Sequence, residues 1–154
     1  NMQMIKMLNA TLLAFAHRGN VVIQGRGGFA VLRGYQDVLN VRIQAPFDVR
    51  VQRSMQKIEF NDRNEAESYV REHDHIRAAF FQTYYGKDWD IASNFDLVVD
   101  TRIISAENAV DWIVSAGKAL SAQPVHGKQT NDIKVDIILA RTIEEILQKQ
   151  IDAG

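Results

Sequence analysis

Short apolar runs rich in β-branched residues alternate with amphipathic segments of helical period along this chain. The runs are short and continuous, as in strands that are covered on both faces, and they lie at residues 21–24, 38–44 and 96–101. Helical periodicity predicts helices at residues 2–17, 29–32, 46–57, 63–84 and 105–120. This alternation predicts an α/β fold in which the three strands lie parallel in one sheet, joined by right-handed crossovers.

Residues that suit helix ends mark several of these boundaries. Gly19 should end the first helix, because glycine readily adopts the left-handed conformation found just beyond many helix C-termini. Pro46 fits the first turn of the third helical segment, since an N–H would lie unpaired there in any case. Asp62, followed three residues later by Glu65, should cap the fourth segment, and Ser105 should cap the fifth.

The C-terminal part of the chain has a different pattern. Residues 121–130, SAQPVHGKQT, are predicted to be a linker between a domain over residues 1–120 and a helical extension over residues 131–154. The isoleucines and leucines of residues 131–151 fit a helix, although Lys134–Leu139 could instead form a strand before a later helix. We favour the helix and expect its apolar face to pack against this domain or against a second copy, which would give a homo-oligomer.

Composition narrows the classes of protein to consider. The chain of 154 residues has the length of one domain, and a hydrophobic fraction of 46% suffices for a core. A net charge of −1 gives no electrostatic reason to expect nucleic acid or an anionic membrane as a partner. The absence of cysteine excludes disulfides and thiolate metal ligands and fits a reducing compartment. No apolar run approaches the roughly 18 residues of a membrane span, so we expect a cytoplasmic protein.

The stretch from Arg71 to Asp90, REHDHIRAAFFQTYYGKDWD, carries the strongest chemical signal. Arg71, Asp74 and Arg77 recur at intervals of three residues, which places them on neighbouring turns of one helix. Planar guanidinium groups match phosphate oxygens two at a time, so this set favours phosphate binding. A solvated helix face with an internal salt bridge explains the same spacing, and that alternative stays open.

Other side chains in this stretch have a functional and a structural interpretation. The aromatic side chains could stack on nucleotide bases, but we favour packing in the core. These side chains are Phe80, Phe81, Tyr84, Tyr85 and Trp89. Asp88 and Asp90 could bind magnesium, but solvation in a turn is the simpler explanation. His73 and His75 point to different sides of a helix. No metal site is therefore predicted.

Three segments of the sequence, in this order, resemble the cytidylate-kinase-like family of P-loop nucleoside monophosphate kinases. They are GNVVIQGRGGFAVLRG at residues 19–34, VRIQAPFDVRVQRSM at 41–55, and REHDHIRAAFFQTYYGKDWD with FDLVVDT at 71–90 and 95–101. The resemblance implies a three-layer α/β/α fold with a doubly wound parallel sheet. It also implies transfer of the γ-phosphoryl group of ATP, with Mg²⁺, to a nucleoside monophosphate or a related small molecule.

The resemblance assigns roles to particular side chains. It implies that Arg26 holds the phosphate of the acceptor nucleotide, beside Gly27, where cytidylate kinases have an aspartate that helps to hold the acceptor. It places Arg50 and Arg53 at the start of the lid over the ATP phosphates. The second arm of that lid would carry the catalytic residues Arg71, Asp74 and Arg77. In that arm the arginines offset charge on the transferring phosphoryl group, and the aspartate orients a guanidinium.

The phosphate-binding loop of such kinases, G-x-x-x-x-G-K-[ST], does not occur in these 154 residues. Gly127-Lys128-Gln129-Thr130 is no substitute, because no glycine stands five positions before Gly127 and Gln129 replaces the serine or threonine. The resemblance places the loop before the first helix, so the sequence is expected to lack the first strand and the loop. Two hypotheses follow. The intact protein is an ATP-dependent nucleotide kinase of which this chain alone is inactive, or the protein is a catalytically inactive kinase-fold module for interaction or regulation.

Overall fold

A computed structural model describes residues 2–25 and 27–152 of the chain. The chain packs into two compact units. The first unit combines the two ends of the chain, Asn1–Asn40 and Leu120–Gly154, and the second is the continuous stretch Val41–Ala119. The division into a kinase-like domain, a linker and a helical extension stays a prediction.

Six helices and two strands make up the regular structure of the described residues. In chain order they are α1 (Met2–Arg18), α2 (Gly28–Leu32), β1 (Val41–Gln44), α3 (Phe47–Lys57), α4 (Arg63–Tyr85), β2 (Leu97–Asp100), α5 (Ala106–Ser121) and α6 (Ile137–Asp152). The five helices predicted before the linker are confirmed, with ends that lie within about one residue of the predicted ones. None of the helices in the described ranges is both long and apolar enough to cross a membrane.

The two strands form a small parallel sheet in the second unit. The register runs from Val41 opposite Leu97 to Gln44 opposite Asp100. The α/β class and two of the three predicted parallel strands are thereby confirmed, although both strands are shorter than predicted.

The prediction of a third strand over residues 21–24 is wrong. The chain turns at Gly19 and Asn20, whose φ angles are 71° and 48°, and then continues without regular structure. No strand among the described residues pairs with this segment, and Val22 is 95% exposed. A continuous apolar run forms a buried strand only where neighbouring elements cover it. Ile23 packs against the core of the first unit, but within the described part of the chain no strand pairs with this segment, so the apolar pattern alone does not produce a strand.

The core of the first unit joins residues from both ends of the chain. Ala16 of α1, Leu32 of α2, Tyr35 and Ile133 form its buried centre. The apolar side chains packed around that centre are Leu13, Ile23, Val31, Val38 and Val135. The segment predicted as a linker contributes as well, because the ammonium group of Lys128 lies 4.3 Å from the centroid of the Tyr35 ring.

The C-terminal helix begins later than predicted. α6 starts at Ile137, so the helix prediction is confirmed from that residue onward. Before it the chain forms only a 3₁₀ turn at Thr130–Asp132, and the prediction is wrong for residues 133–136. The alternative strand does not form there either. The Oδ1 atom of Asp136 accepts hydrogen bonds from the N–H groups of Ile138 and Leu139 at 2.9 and 3.0 Å. This carboxylate caps the helix and fixes its first turn.

Capping residues define both ends of α4, the longest helix described. The Asp62 carboxylate accepts a hydrogen bond from the Glu65 N–H at 3.0 Å, and the Glu65 carboxylate accepts one from the Asn61 N–H at 2.7 Å. At the other end Gly86 has a φ of 58°, and its N–H donates to the Gln82 carbonyl. Glycine suits this position because its left-handed backbone carries no side-chain penalty.

The packing of α3 against α4 forms the core of the second unit. Val51 of α3 and Ala66 of α4 are completely buried, and Val70 lies beside them. Phe47 and Phe60 cover this cluster. Because these contacts fix the two helices against each other, polar side chains on their adjoining faces lie within reach of one another.

Candidate anion-binding site

One carboxylate oxygen holds two guanidinium groups where α3 meets α4. The Oδ1 atom of Asp74 accepts hydrogen bonds from Nη1 of Arg50 at 2.8 Å and from Nη1 of Arg77 at 3.2 Å. The three side chains are partly exposed, at 34% for Arg50, 29% for Asp74 and 44% for Arg77. A single negative charge thus neutralises only one of two guanidiniums, and both remain open to solvent.

Arg50 is also tied to the end of the sheet. Its Nε donates a hydrogen bond to the carbonyl of Ala45 at 3.1 Å, and Ala45 directly follows the last residue of β1. The site therefore lies at the carboxyl end of a parallel strand, where α/β proteins bind their ligands.

Arg53 contacts the end of the neighbouring strand. Its Nη1 and Nη2 donate hydrogen bonds to the Thr101 hydroxyl at 2.9 Å and to the Thr101 carbonyl at 2.6 Å. Thr101 in turn donates from its N–H and its hydroxyl to the carbonyl of Gln44, at 2.8 and 3.0 Å. Arg53 is therefore fixed at the same edge of the sheet as Arg50, with two of its N–H donors directed at Thr101.

Among the described contacts, the Arg71 guanidinium forms no ion pair with the Asp74 carboxylate. This guanidinium lies 4.3 Å from the centroid of the Phe47 ring, and its Nη2 lies 3.9 Å from Oε2 of Glu67, one turn earlier in α4. The side chain is 69% exposed. Of the residues singled out from the sequence, the structure brings together Arg50, Asp74 and Arg77. Arg26 lies outside the described residues, so its predicted role stays a prediction.

Arg42 is the residue that sequence reasoning missed. It lies inside β1, and its Nη1 donates a hydrogen bond to the carbonyl of Trp89 at 3.0 Å. Its guanidinium carbon is 4.8 Å from the centroid of the Trp89 ring and 5.8 Å from that of Phe95. Arg77 lies 4.7 Å from the same Trp89 ring. A cation in the middle of a short apolar strand is the sequence signal that would have found Arg42.

The electrostatics of Arg42 connect it to this cluster. Burial lowers the pKa of its guanidinium, the Asp90 carboxylate opposes that effect, and the guanidiniums of Arg77 and Arg50 lower the pKa further. Three cations therefore share this region with the carboxylates of Asp90 and Asp74. Positive charge is in excess, which is what a site for a polyanion requires.

The aromatic side chains at the end of α4 and just beyond it differ in what they contact. Trp89 contacts the two arginines, whereas Phe80 lies edge-on to Phe81 and Tyr84 at centroid distances of 5.4 and 5.2 Å. Phe81 is buried, which agrees with core packing. Burial also raises the pKa of Tyr85 above its usual 10.0.

The segment Gly127–Thr130 has a structural role. The N–H of Thr130 donates to both carboxylate oxygens of Asp37, at 3.0 and 2.9 Å, and its hydroxyl donates to the same group at 2.6 Å. Donors held by a carboxylate are not directed at a phosphate.

Fold and site together define an α/β protein with a guanidinium cluster at the carboxyl ends of two parallel strands. The sequence profile of the cytidylate kinase-like family matches residues 1–103. The chain belongs to this family.

Proteins named cytidylate kinase are among the relatives of this chain. The one from Pyrobaculum neutrophilum is 32% identical over 113 residues, which cover 71% of this chain and 59% of the relative. The one from Staphylothermus marinus is 32% identical over 100 residues, covering 64% and 54%. The one from Ignicoccus hospitalis is 32% identical over 106 residues, covering 69% and 60%. The chain thus spans less than two thirds of the length of these relatives. No solved structure gave a significant match.

Proposed function

We propose that the complete protein transfers the γ-phosphoryl group of ATP to a nucleoside monophosphate or a related small molecule. The observation that carries this proposal is the pair Arg50 and Arg77 on one oxygen of Asp74, at the carboxyl end of β1. Family membership and the names of the relatives support the same reaction class. The proposal includes a three-layer α/β/α P-loop-type fold in the complete protein, of which β1 and β2 are two neighbouring strands.

The chemistry of phosphoryl transfer explains why arginines suit this position. Charge spreads over the oxygens of the transferring group, so catalysis consists of positioning and charge neutralisation. In this proposal Arg77 and Arg71 contact the transferring phosphoryl group, and Asp74 orients Arg77. Arg50 and Arg53 hold nucleotide phosphates. Since Arg50 and Arg77 share one carboxylate, their two guanidiniums are already close together before an anion binds.

Magnesium is proposed to enter as part of the ATP–Mg²⁺ substrate. No group of three or more His, Cys, Asp or Glu side chains in the described ranges is arranged to hold a metal ion. Magnesium at such sites takes most of its ligands from substrate phosphates and water. We therefore assign no protein ligand to it and ascribe the handling of phosphate charge to the arginines.

The acceptor is proposed to be a pyrimidine nucleoside monophosphate or a closely related nucleotide, and Arg26 is proposed to hold its phosphate. Cytidine monophosphate is the first candidate, because the relatives are named cytidylate kinases. Gly27 argues for a changed acceptor preference, since glycine stands where the family has an aspartate. The backbone of Gly27 has a φ of 85°, a conformation that non-glycine residues seldom adopt.

A coupled assay for ADP formation by the complete protein tests the proposal. ATP–Mg²⁺ is supplied with each nucleoside monophosphate in turn, and turnover in the range of about 1–100 s⁻¹ is expected with at least one of them. Arg77→Ala should lower turnover on the order of 10³-fold. Arg63→Ala is the matched control, because Arg63 lies on the same helix and pairs with Asp48 and Glu67 instead.

The same assay distinguishes the alternative of an inactive kinase-fold module. For such a protein, which lacks the P-loop, no acceptor would give turnover above background, although tripolyphosphate would still bind and Arg77→Ala would weaken that binding. That outcome would overturn phosphoryl transfer while retaining the anion site.

A further inference from the structure

We propose that Arg42 is a positioning residue that acts through Trp89 to hold the guanidinium of Arg77 in place for a polyphosphate. The proposal rests on the proposed function for the nature of the ligand. The geometry it invokes belongs to the described residues of the second unit alone.

The backbone of Arg42 is held by the sheet, because this residue pairs with Val98 in the register of β1 and β2. From this strand its Nη1 donates to the Trp89 carbonyl at 3.0 Å, and its guanidinium lies over the Trp89 ring at 4.8 Å. Two contacts to one residue, one with the backbone and one with the ring, fix both the path of the chain and the orientation of the indole.

Trp89 needs such support because of where it lies. It follows the end of α4 at Gly86 and precedes the 3₁₀ turn at Ala92–Asn94, in a segment without regular hydrogen bonding. A contact from Asn94 to the Asp88 carbonyl at 2.8 Å holds the neighbouring residue. The ring itself faces cations, which bind aromatic faces through the ring quadrupole.

Arg77 uses the same ring. Its guanidinium carbon lies 4.7 Å from the Trp89 centroid while its Nη1 donates to Asp74. The Trp89 ring and the Asp74 carboxylate together define where this long side chain points. If Trp89 moves, Arg77 retains one weak, partly exposed ion pair and regains rotamer freedom.

Arg42 is unfavourable for folding at this position, and this favours a functional role for the residue. Its Nε is buried without a hydrogen-bond partner among the described residues. The guanidiniums of Arg77 and Arg50 lie within electrostatic reach. The carboxylates of Asp90 and Asp74 offset burial and these like charges only in part, since the pKa of Arg42 is lowered overall. An unsatisfied buried donor beside like charges is unfavourable for folding. Such local conflicts are expected at functional sites, where the same charges favour an anionic ligand.

The first test observes Arg77 directly, without any ligand. The Nε–Hε signal of Arg77 is followed by NMR in the unaltered chain, in Arg42→Met and in Arg42→Lys. Both variants lose the planar guanidinium of residue 42, so the Arg77 signal should move toward the position of an exposed arginine. The movement should be larger in Arg42→Met than in Arg42→Lys. The Arg63 signal serves as the internal control and should stay in place. An unmoved Arg77 signal in a folded variant overturns the proposal.

The second test measures binding of inorganic tripolyphosphate by calorimetry in a double-mutant cycle. Arg42→Lys keeps the positive charge but loses the planar group, and it should weaken binding about tenfold, the scale of one charge-assisted hydrogen bond. Because Arg42 acts through Arg77, the double variant Arg42→Lys/Arg77→Met should bind no more weakly than Arg77→Met alone. Losses that multiply would mean that Arg42 acts independently of Arg77, and would overturn the proposal.

The two tests separate this inference from the proposed function. If the unaltered chain does not bind tripolyphosphate, the proposed anion site is contradicted. The NMR result still decides whether Arg42 positions Arg77. If Arg42→Met does not fold, Arg42→Lys carries both tests, because it keeps the charge and the aliphatic stem but loses the planar group. A variant with a lower melting temperature, an unmoved Arg77 signal and unchanged affinity would show a purely structural role.

Discussion

The guanidinium of Arg50 donates a 2.8 Å hydrogen bond to Oδ1 of Asp74, which links α3 to α4 across 24 residues of sequence. The same oxygen accepts from Arg77, so the carboxylate keeps two like charges close together. In the absence of an anion this contact offsets the repulsion between the two arginines. A bound polyphosphate would take over that role, because its oxygens accept from guanidiniums in the same way.

Asp74→Asn should separate binding from turnover. Removal of the negative charge raises the local positive potential, so tripolyphosphate affinity at low ionic strength should increase about threefold. The free energy of unfolding should fall by about 1 kcal/mol, because two partly exposed ion pairs are lost. Turnover of the complete protein should fall, since an amide orients Arg50 and Arg77 less firmly. Calorimetry and urea denaturation measure the first two effects.

Glu145→Gln is the control for that experiment, since Glu145 pairs with Arg141 at 3.2 Å in α6. It should change neither affinity nor turnover. A tenfold or greater loss of affinity in Asp74→Asn would mean that orientation by the carboxylate outweighs its charge.

Arg53→Ala should affect stability more than anion binding. Arg53 donates two hydrogen bonds to Thr101, which itself joins the ends of β1 and β2. Loss of these contacts should cost about 1–3 kcal/mol of unfolding free energy. Affinity for tripolyphosphate should fall less than in Arg77→Ala, because the two bonds to Thr101 hold the Arg53 guanidinium against the ends of the strands. A larger loss of affinity than in Arg77→Ala would place Arg53 at the centre of the site.

Local signals were sufficient to predict the helices and the two paired strands. Asp62, Glu65 and Ser105 mark helix starts through side-chain contacts with nearby backbone N–H groups, so no tertiary information is needed. The run at residues 21–24 has the same apolar pattern as the strands, but its state depends on neighbours that a pattern does not reveal. Asp136 was an available signal for the start of α6 and was overlooked.

The site was predictable only where its contacts are local. The spacing of Asp74 and Arg77 indicates a contact between neighbouring turns, and the structure shows it. The spacing of Arg71 and Asp74 is the same, yet Arg71 lies beside Phe47 and Glu67. Which partner Arg71 contacts depends on how α3 packs against α4, and the spacing does not reveal that packing. The contact of Arg42 with Trp89 joins a strand to an irregular segment, and no sequence period describes such a contact.

Ionic strength should control anion binding strongly. The guanidiniums of Arg50 and Arg77 are partly exposed, so their attraction for a polyphosphate is screened by salt. Affinity for tripolyphosphate should fall at least about fivefold when NaCl is raised from about 50 to 300 mM. The same titration with sodium acetate as the ligand serves as a control for weak, nonspecific anion binding. Salt-independent affinity would point to a site that is shielded from solvent, contrary to the geometry of the cluster.

Stability at alkaline pH should depend on Tyr85. Burial raises the pKa of its phenol above 10.0, so the folded protein holds the proton more tightly than the unfolded chain. The stabilising contribution is therefore complete below about pH 10 and is lost as the pH rises through the folded-state pKa. Urea denaturation of the unaltered chain and of Tyr85→Phe at several pH values should give a steeper alkaline fall for the unaltered chain. Parallel curves would show that this phenol does not titrate differently on folding.

Calorimetric titration of Arg77→Ala with inorganic tripolyphosphate, alongside its melting temperature, tests the central claim most directly. We expect the unaltered chain and Arg63→Ala to bind equally well and Arg77→Ala to bind at least about tenfold more weakly. The melting temperature should fall by no more than about 2–4 °C, because the ion pair with Asp74 is partly exposed. Equal affinity in all three proteins, with a clearly lowered melting temperature for Arg77→Ala, would make Arg77 structural and contradict the anion site.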